Sequence, residues 1–277
     1  VPRRELTVFV LGAGKVGRGL TRALREKGVK VALRAARRGL PRRIHASLVI
    51  VAVRDRDVPP LAERLVGVVA RQAAVVHVAG ALDAEALAPL RGACAGVAQM
   101  HPMMSFASIA FTPSLERGNL LVRGDKVAVA RARELGRRLG MVPRMISGLD
   151  PVAYHAAAGL VANGAAALSA IGAQLLAVAG VPEATAPKLL GPLLRSVADN
   201  VEALGFPQAL TGPVRRGDAA ALERHLATLK AKMPAALPLY LASAKAQLPL
   251  ARALGEGLPE GYEAVARIVE GLRQRTR

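Results

Sequence analysis

The 277-residue chain is 52% hydrophobic, enough for one large core or two ordinary ones at roughly 100–200 residues per domain. A single cysteine, Cys94, excludes an intramolecular disulfide and a cysteine-built metal cage, and no metal site is expected. The net charge of +19 raises the question of nucleic acid; scattered arginines, 3% aromatic residues and no recognisable binding motif argue against it.

The chain opens Val1-Pro2-Arg3-Arg4-Glu5 and reaches a glycine-rich turn at Gly12 with no secretory hydrophobic region between, so a cytoplasmic protein is expected. Short apolar runs rich in β-branched residues follow at 6–11, 29–33, 48–53, 75–78 and 97–100. Each is too short for a helix and sits between turn signals, which predicts buried parallel strands. Amphipathic stretches at 16–27, 58–70 and 84–90 fill the intervals as helices. A strand at 119–122 and a helix at 127–139 close this domain. Repeated strand–helix units imply a parallel sheet with helices on both faces.

After Ile146 the pattern turns helical, with segments at 152–179, 183–203, 219–232, 238–254 and 262–273. Breaks at Gly180-Val181-Pro182, Gly205-Phe206-Pro207, Thr211-Gly212-Pro213 and Gly257-Leu258-Pro259 separate them. The chain therefore reads as an α/β domain, 1–148, followed by an all-α domain, 149–277. Between Pro151 and Pro182 the only titratable side chains are Tyr154 and His155. That is long enough to cross a bilayer. It also holds Asn163, Ser169 and Gln174, which are costly at mid-membrane. A central helix apolar on all sides and buried in protein is expected, with no membrane span.

Gly12-Ala13-Gly14-Lys15-Val16-Gly17 fits G-x-G-x-x-G, with a strand entering it and a helix leaving it. Gly12 permits the turn, Gly14 lets backbone approach a pyrophosphate, and Gly17 lets helix and strand pack closely. The free N–H groups at the helix start, with Ala13, Lys15 and Val16, complete a dinucleotide cradle of Rossmann type. Enzymes that bind NAD place an acid about 20 residues further on, for the ribose 2′-hydroxyl. No acid occurs between Lys27 and Arg54; Arg34, Arg37 and Arg38 stand there instead, suited to the 2′-phosphate of NADP(H). As ordinary solvated arginines they would carry no such role. Val53 and Arg54, at the end of the third strand, face the same crevice, and Asp55 is expected to cap the next helix.

Few groups are available for proton chemistry. His77 lies in the fourth strand and His101 ends the fifth, both toward the cofactor side; His45 lies at the opposite edge. With an ordinary pKa near ~6.5, His101 is the first choice as general acid. On the later helix His155 and Asn163 fall about 12 Å apart along the axis, so both line a cleft without gripping one atom. His225 sits beside the stripe Leu222, Leu226, Leu229 and Met233 and reads as a core or interface histidine. Asp218 is placed to cap its helix; Arg215 and Arg216 read equally as holders of a substrate carboxylate or phosphate and as surface arginines.

Four motifs occur in order: His77-Val78-Ala79-Gly80-Ala81-Leu82, His101-Pro102-Met103-Met104-Ser105-Phe106, Tyr154-His155-Ala156-Ala157-Ala158 with Asn163, and Leu210 through Asp218. Together they resemble a family of NADP-dependent oxidoreductases in which a Rossmann-like domain precedes an uncharacterised all-α domain. That family is similar to the superfamily of 6-phosphogluconate dehydrogenase, ketopantoate reductase and pyrroline-5-carboxylate reductase. The resemblance implies an all-α domain of the 6-phosphogluconate dehydrogenase C-terminal type, a homodimer formed through it, and Gly80 and Ser105 near cofactor and substrate. Several superfamily enzymes carry a catalytic lysine four residues before the helical asparagine; here that position is Gly159. Ala79 also replaces a serine usual in the family.

The expected function is NADP-dependent reduction of a small carbonyl or imine compound, anionic in keeping with the basic surface. Ketopantoate is the sharpest single substrate. A reductase of the pyrroline-carboxylate type and a non-catalytic NADP-binding sensor are the alternatives.

Overall fold

A computed structural model describes residues 6–271. The first half is a seven-stranded sheet: β1 (Thr7–Leu11), β2 (Lys30–Arg34), β3 (Leu48–Val51), β4 (Ala74–His77), β5 (Gly96–Pro102), β6 (Asn119–Gly124) and β7 (Val142–Arg144). The spatial order is β2-β1-β3-β4-β5-β6-β7. The first five strands are parallel, β6 runs antiparallel to β5, and β7 is parallel to β6. The expected Rossmann-like sheet followed by helices is the fold observed. Strand order reverses at β1, whose neighbours are β2 and β3, and ligands of doubly wound sheets bind beyond the strand ends at that point.

The period-two rule divides the sheet's residues between two cores. Val8, Val10, Leu48, Ile50, Val76 and Met100 face one side. There they meet Leu20 and Leu24 of α1 (Lys15–Glu26) and Leu135 of α3 (Lys126–Arg138). Leu11, Val49, Val51, Val75 and Val97 face the other, against α2 (Val58–Leu65) and a 3-10 turn, Ala84–Leu90. Each large side chain fully buried here stabilises the fold by roughly 1.5–3 kcal/mol.

Three elements depart from expectation. Helix α2 stops at Leu65, because Gly67 takes φ +77° and Val69 is drawn into a bridge with Ile44. Residues 84–90 form a 3-10 turn, with Pro89 inside and the Asp83 side chain accepting from the Glu85 N–H. Strand β7 was not expected; Pro143 lies inside it, tolerated because β7 is an edge.

The second half is helical: α4 (Pro151–Val178), α5 (Ala186–Leu204), α6 (Ala219–Lys232), α7 (Leu237–Leu254) and α8 (Pro259–Gly271). The last two residues of the helix expected at 262–273 lie outside the described residues. Backbone contacts group the chain into compact units 1–162 and 163–277, dividing it within α4. In the second unit Val214, Leu222, Leu226, Ala244, Leu248, Tyr262 and Val265 share one core. Asp218 caps α6 as expected, accepting from the Ala221 N–H at 2.9 Å. His225 is exposed, not buried, and meets the Tyr240 hydroxyl at 2.7 Å.

The buried central helix is not what the structure holds. None of the residues of α4 is buried, and Leu160 and Val161 are 78% and 72% exposed. A helix apolar on every side needs neighbours on every side. The described residues of a single copy do not supply them.

Candidate active site

The turn after β1 is built as its glycines require. Gly12 has φ +121°, and a Cβ there would run into the Ala52 carbonyl. A Cβ at Gly17 would strike the Gly12 carbonyl, so α1 and β1 approach as closely as backbone allows. Gly14 is different: nothing lies within 4 Å of the position its Cβ would take. This open space at the start of α1 is where a phosphate would meet the unpaired N–H groups of the first turn.

A cleft of about 900 Å³ opens at this turn. Gly12, Ala13, Gly14, Lys15 and Val16 form one wall; Arg37, Val53 and Arg54 form the next. Gly80, His101 and His155 line it as well. Three expected cofactor residues, Gly17, Arg34 and Arg38, do not line it. Gly17 is buried beneath the turn. Arg34 bends back, donating to the carbonyls of Gly39 at 2.7 Å and Arg38 at 2.9 Å. Its work is to shape the turn that carries Arg37. The open dinucleotide cradle and the basic side chain beyond β2 fit an NADP-type cofactor.

Asp55 caps no helix by its side chain, contrary to expectation; it lines the cleft. Asp57 lies nearby and pairs with Arg54 at 3.1 Å. Further lining residues that the sequence did not single out are Arg18, Met104, Phe106 and Ile109. Arg18 spans the glycine turn, donating to the Ala13 carbonyl at 3.0 Å.

His101 stands at the end of β5 among aromatic neighbours. Its Nδ1 lies 3.3 Å from the Tyr154 hydroxyl, and the rings meet edge-on at 5.5 Å. The His155 ring approaches another side, also edge-on, at 5.9 Å. Gly80 lies below both: a Cβ there would collide with His155 Nδ1 and come within 2.9 Å of His101 Nε2. Burial, then the neighbouring His155 and His77, lower the His101 pKa to about 4. The ordinary value expected from sequence is thereby corrected: His101 is neutral at pH 7. Burial raises the Tyr154 pKa, so its phenol keeps its proton.

His77 does not reach the cleft. It is fully buried in β4, with Nε2 2.7 Å from the Asp83 carbonyl, and burial lowers its pKa. Its register partner on β5 is Gln99, also fully buried, whose amide donates to the Ala79 and Gly80 carbonyls. Gln99 thus fixes the turn on which Gly80 sits. Tyr154 and Gln99 both escaped sequence reading. Tyr154 was visible within the third motif, whereas Gln99 looked like any strand residue.

The other expected residues are distributed over both units. Ser105 is exposed at the start of the segment after β5 and does not line the cleft. Asn163, exposed on α4, and Arg216, exposed in a 3-10 turn, belong to the second unit. Arg215 is committed to structure: it pairs through two nitrogens with Glu256, at 2.7 and 2.6 Å, and donates to the Gln208 and Leu210 carbonyls.

The domain of unknown function DUF2520 matches residues 119–247. No curated protein matches the chain by sequence. Among solved structures, a Bacteroides fragilis protein provisionally named an NADP oxidoreductase is 23% identical, with a TM-score of 0.68 over 88% of this chain and 98% of that one. A Thermotoga maritima protein is also 23% identical, with a TM-score of 0.60 over 89% and 99%. The Plasmodium falciparum pyrroline carboxylate reductase, solved with NADP bound, is 11% identical, with a TM-score of 0.60 over 87% and 98%. At these identities the likeness is one of fold.

Proposed function

We propose that this chain is an NADP(H)-dependent reductase of a small compound, with a C=N bond favoured over C=O. The observation that carries the reading is one cleft that holds the open glycine turn, Arg37 and the His101–Tyr154–His155 cluster. The fold shared with an NADP-bound pyrroline carboxylate reductase supports it. When bound, the reduced nicotinamide supplies a hydride. The chain's own residues orient, exclude water and manage protons.

Proton management separates the two substrate classes. A ketone oxygen must receive a proton as it is reduced. With its pKa near 4, His101 is an imidazolium in about one molecule in a thousand at pH 7. The lysine that serves related enzymes is Gly159 here. A protonated imine brings its proton with it, and its reduction leaves a neutral amine. A cleft with a neutral histidine at its reactive end therefore suits an imine better than ketopantoate. The basic surface suits an anionic group elsewhere on the substrate.

Thermal unfolding tests the cofactor assignment. NADPH should raise Tm more than NADH does, and Arg37→Ala should remove most of that difference. Equal shifts, or none, would sink the assignment.

We also propose a homodimer through the helical half. On α5, Leu189, Leu193, Val197 and Val201 recur every four residues and stay exposed. On α4, Leu160, Val161 and Leu168 are exposed as well. A second copy would cover these apolar surfaces.

A further inference from the structure

We propose that Tyr154 is a positioning residue: its hydroxyl donates to His101 Nδ1 and so fixes the ring proton on Nε2, the nitrogen turned toward Gly80 and His155. This deepens the reductase reading and rests on it for its functional meaning, while the tautomer itself is a property of the chain alone.

The geometry comes from the first turns of α4. Consecutive helical residues diverge by about 100°. Tyr154 and His155 therefore approach His101 from two directions, each ring edge-on to it. The two nitrogens of His101 have different surroundings. Nδ1 meets the Tyr154 hydroxyl at 3.3 Å, whereas Nε2 faces the position a Gly80 Cβ would fill, as does His155 Nδ1. In a neutral imidazole one nitrogen donates and the other accepts, and the partner of the first determines the role of the second.

A half-buried phenol that keeps its proton must place that O–H on an acceptor, and an imidazole nitrogen is a strong one. With the phenol donating, Nδ1 accepts and Nε2 carries the hydrogen. The cleft then presents a fixed N–H at its reactive end, ready to hold an acceptor beside the C=N bond, such as a carboxylate oxygen of the substrate, without giving up a proton. The Tyr154–His101 contact is long for a hydrogen bond, as such contacts are before a ligand closes the site. Gly80 and Gln99 complete the device. The missing Cβ leaves room for both imidazoles, and the Gln99 amide holds the turn in place.

Imidazole ¹⁵N–¹H correlation spectra of the whole chain test this without any substrate. Between pH 6 and 8, His101 should appear as a single neutral tautomer protonated at Nε2. In Tyr154→Phe, which keeps the ring and its packing, the two tautomers should mix. A His101 protonated at Nδ1 in the wild type, or unchanged in Tyr154→Phe, would overturn the proposal. Unfolding of Tyr154→Phe is checked by its amide fingerprint; should it unfold, the wild-type tautomer alone decides. If a cyclic imine is turned over, Tyr154→Phe should lower kcat about tenfold and leave KM for NADPH unchanged. A rise in that KM with kcat intact would also count against it. Failure of NADPH to bind the wild type would remove the reductase reading and leave the tautomer result standing.

Discussion

A methyl group added at Gly80 would strike the two histidines above it, and this one position shows how much of the site depends on what is absent. The same crowding sets the charge of His101. Its pKa is near 4 in the fold and near 6.5 in the unfolded chain, so the unfolded state binds a proton that the folded state refuses. The sign follows: this stability is present above pH 6.5 and is lost as pH falls toward 4. Between pH 7.5 and pH 5 the loss attributable to His101 is roughly 2 kcal/mol. Urea unfolding at the two values should therefore show the wild type losing that much more than His101→Gln. Equal losses would mean that the ring protonates freely in the fold.

At the scale of elements, the segment between β5 and β6 has no regular structure, yet α1 holds it firmly. Arg22 donates to the carbonyls of Ile109 and Ala110, both at 3.0 Å, and to Thr112 Oγ1 at 3.1 Å. Phe106 lies where a side chain at Gly19 would otherwise sit. Since Phe106 and Ile109 line the cleft, Arg22→Met should loosen its wall. Limited proteolysis is expected to cut within 104–112 faster, and NADPH to bind about threefold to tenfold more weakly, the worth of one net hydrogen bond. Unchanged cleavage and affinity would show that packing alone holds the segment. Arg34 teaches the same lesson from the other wall. The sequence put it at the phosphate, but its guanidinium is spent on two carbonyls of its own turn. Arginine spacing marks a basic loop; which arginine points outward depends on how that loop closes.

For the whole molecule, the unburied faces of α4 and α5 are the outstanding feature. Light scattering after size exclusion should find a dimer, and Leu193→Lys with Val197→Lys should give monomers that keep the NADPH-induced rise in Tm. A wild-type chain that is monomeric at all concentrations would sink the dimer, and partition of that monomer into lipid vesicles would revive the bilayer reading of α4. The features legible in the sequence are local in origin. The strands follow from short β-branched runs, the glycine turn from its spacing before a helix, and the helical second half from its 3.6-residue periods. Each of these depends on neighbours close in the chain. The tertiary structure alone decided which arginine faces the cleft, that His77 is sealed in the sheet, and that His101 is neutral beside Tyr154. It also decided that Gln99 holds the turn under both histidines. Those outcomes join residues as far apart as Gly80 and His155, and burial, which sets their charge and tautomer, is a property of the assembled fold.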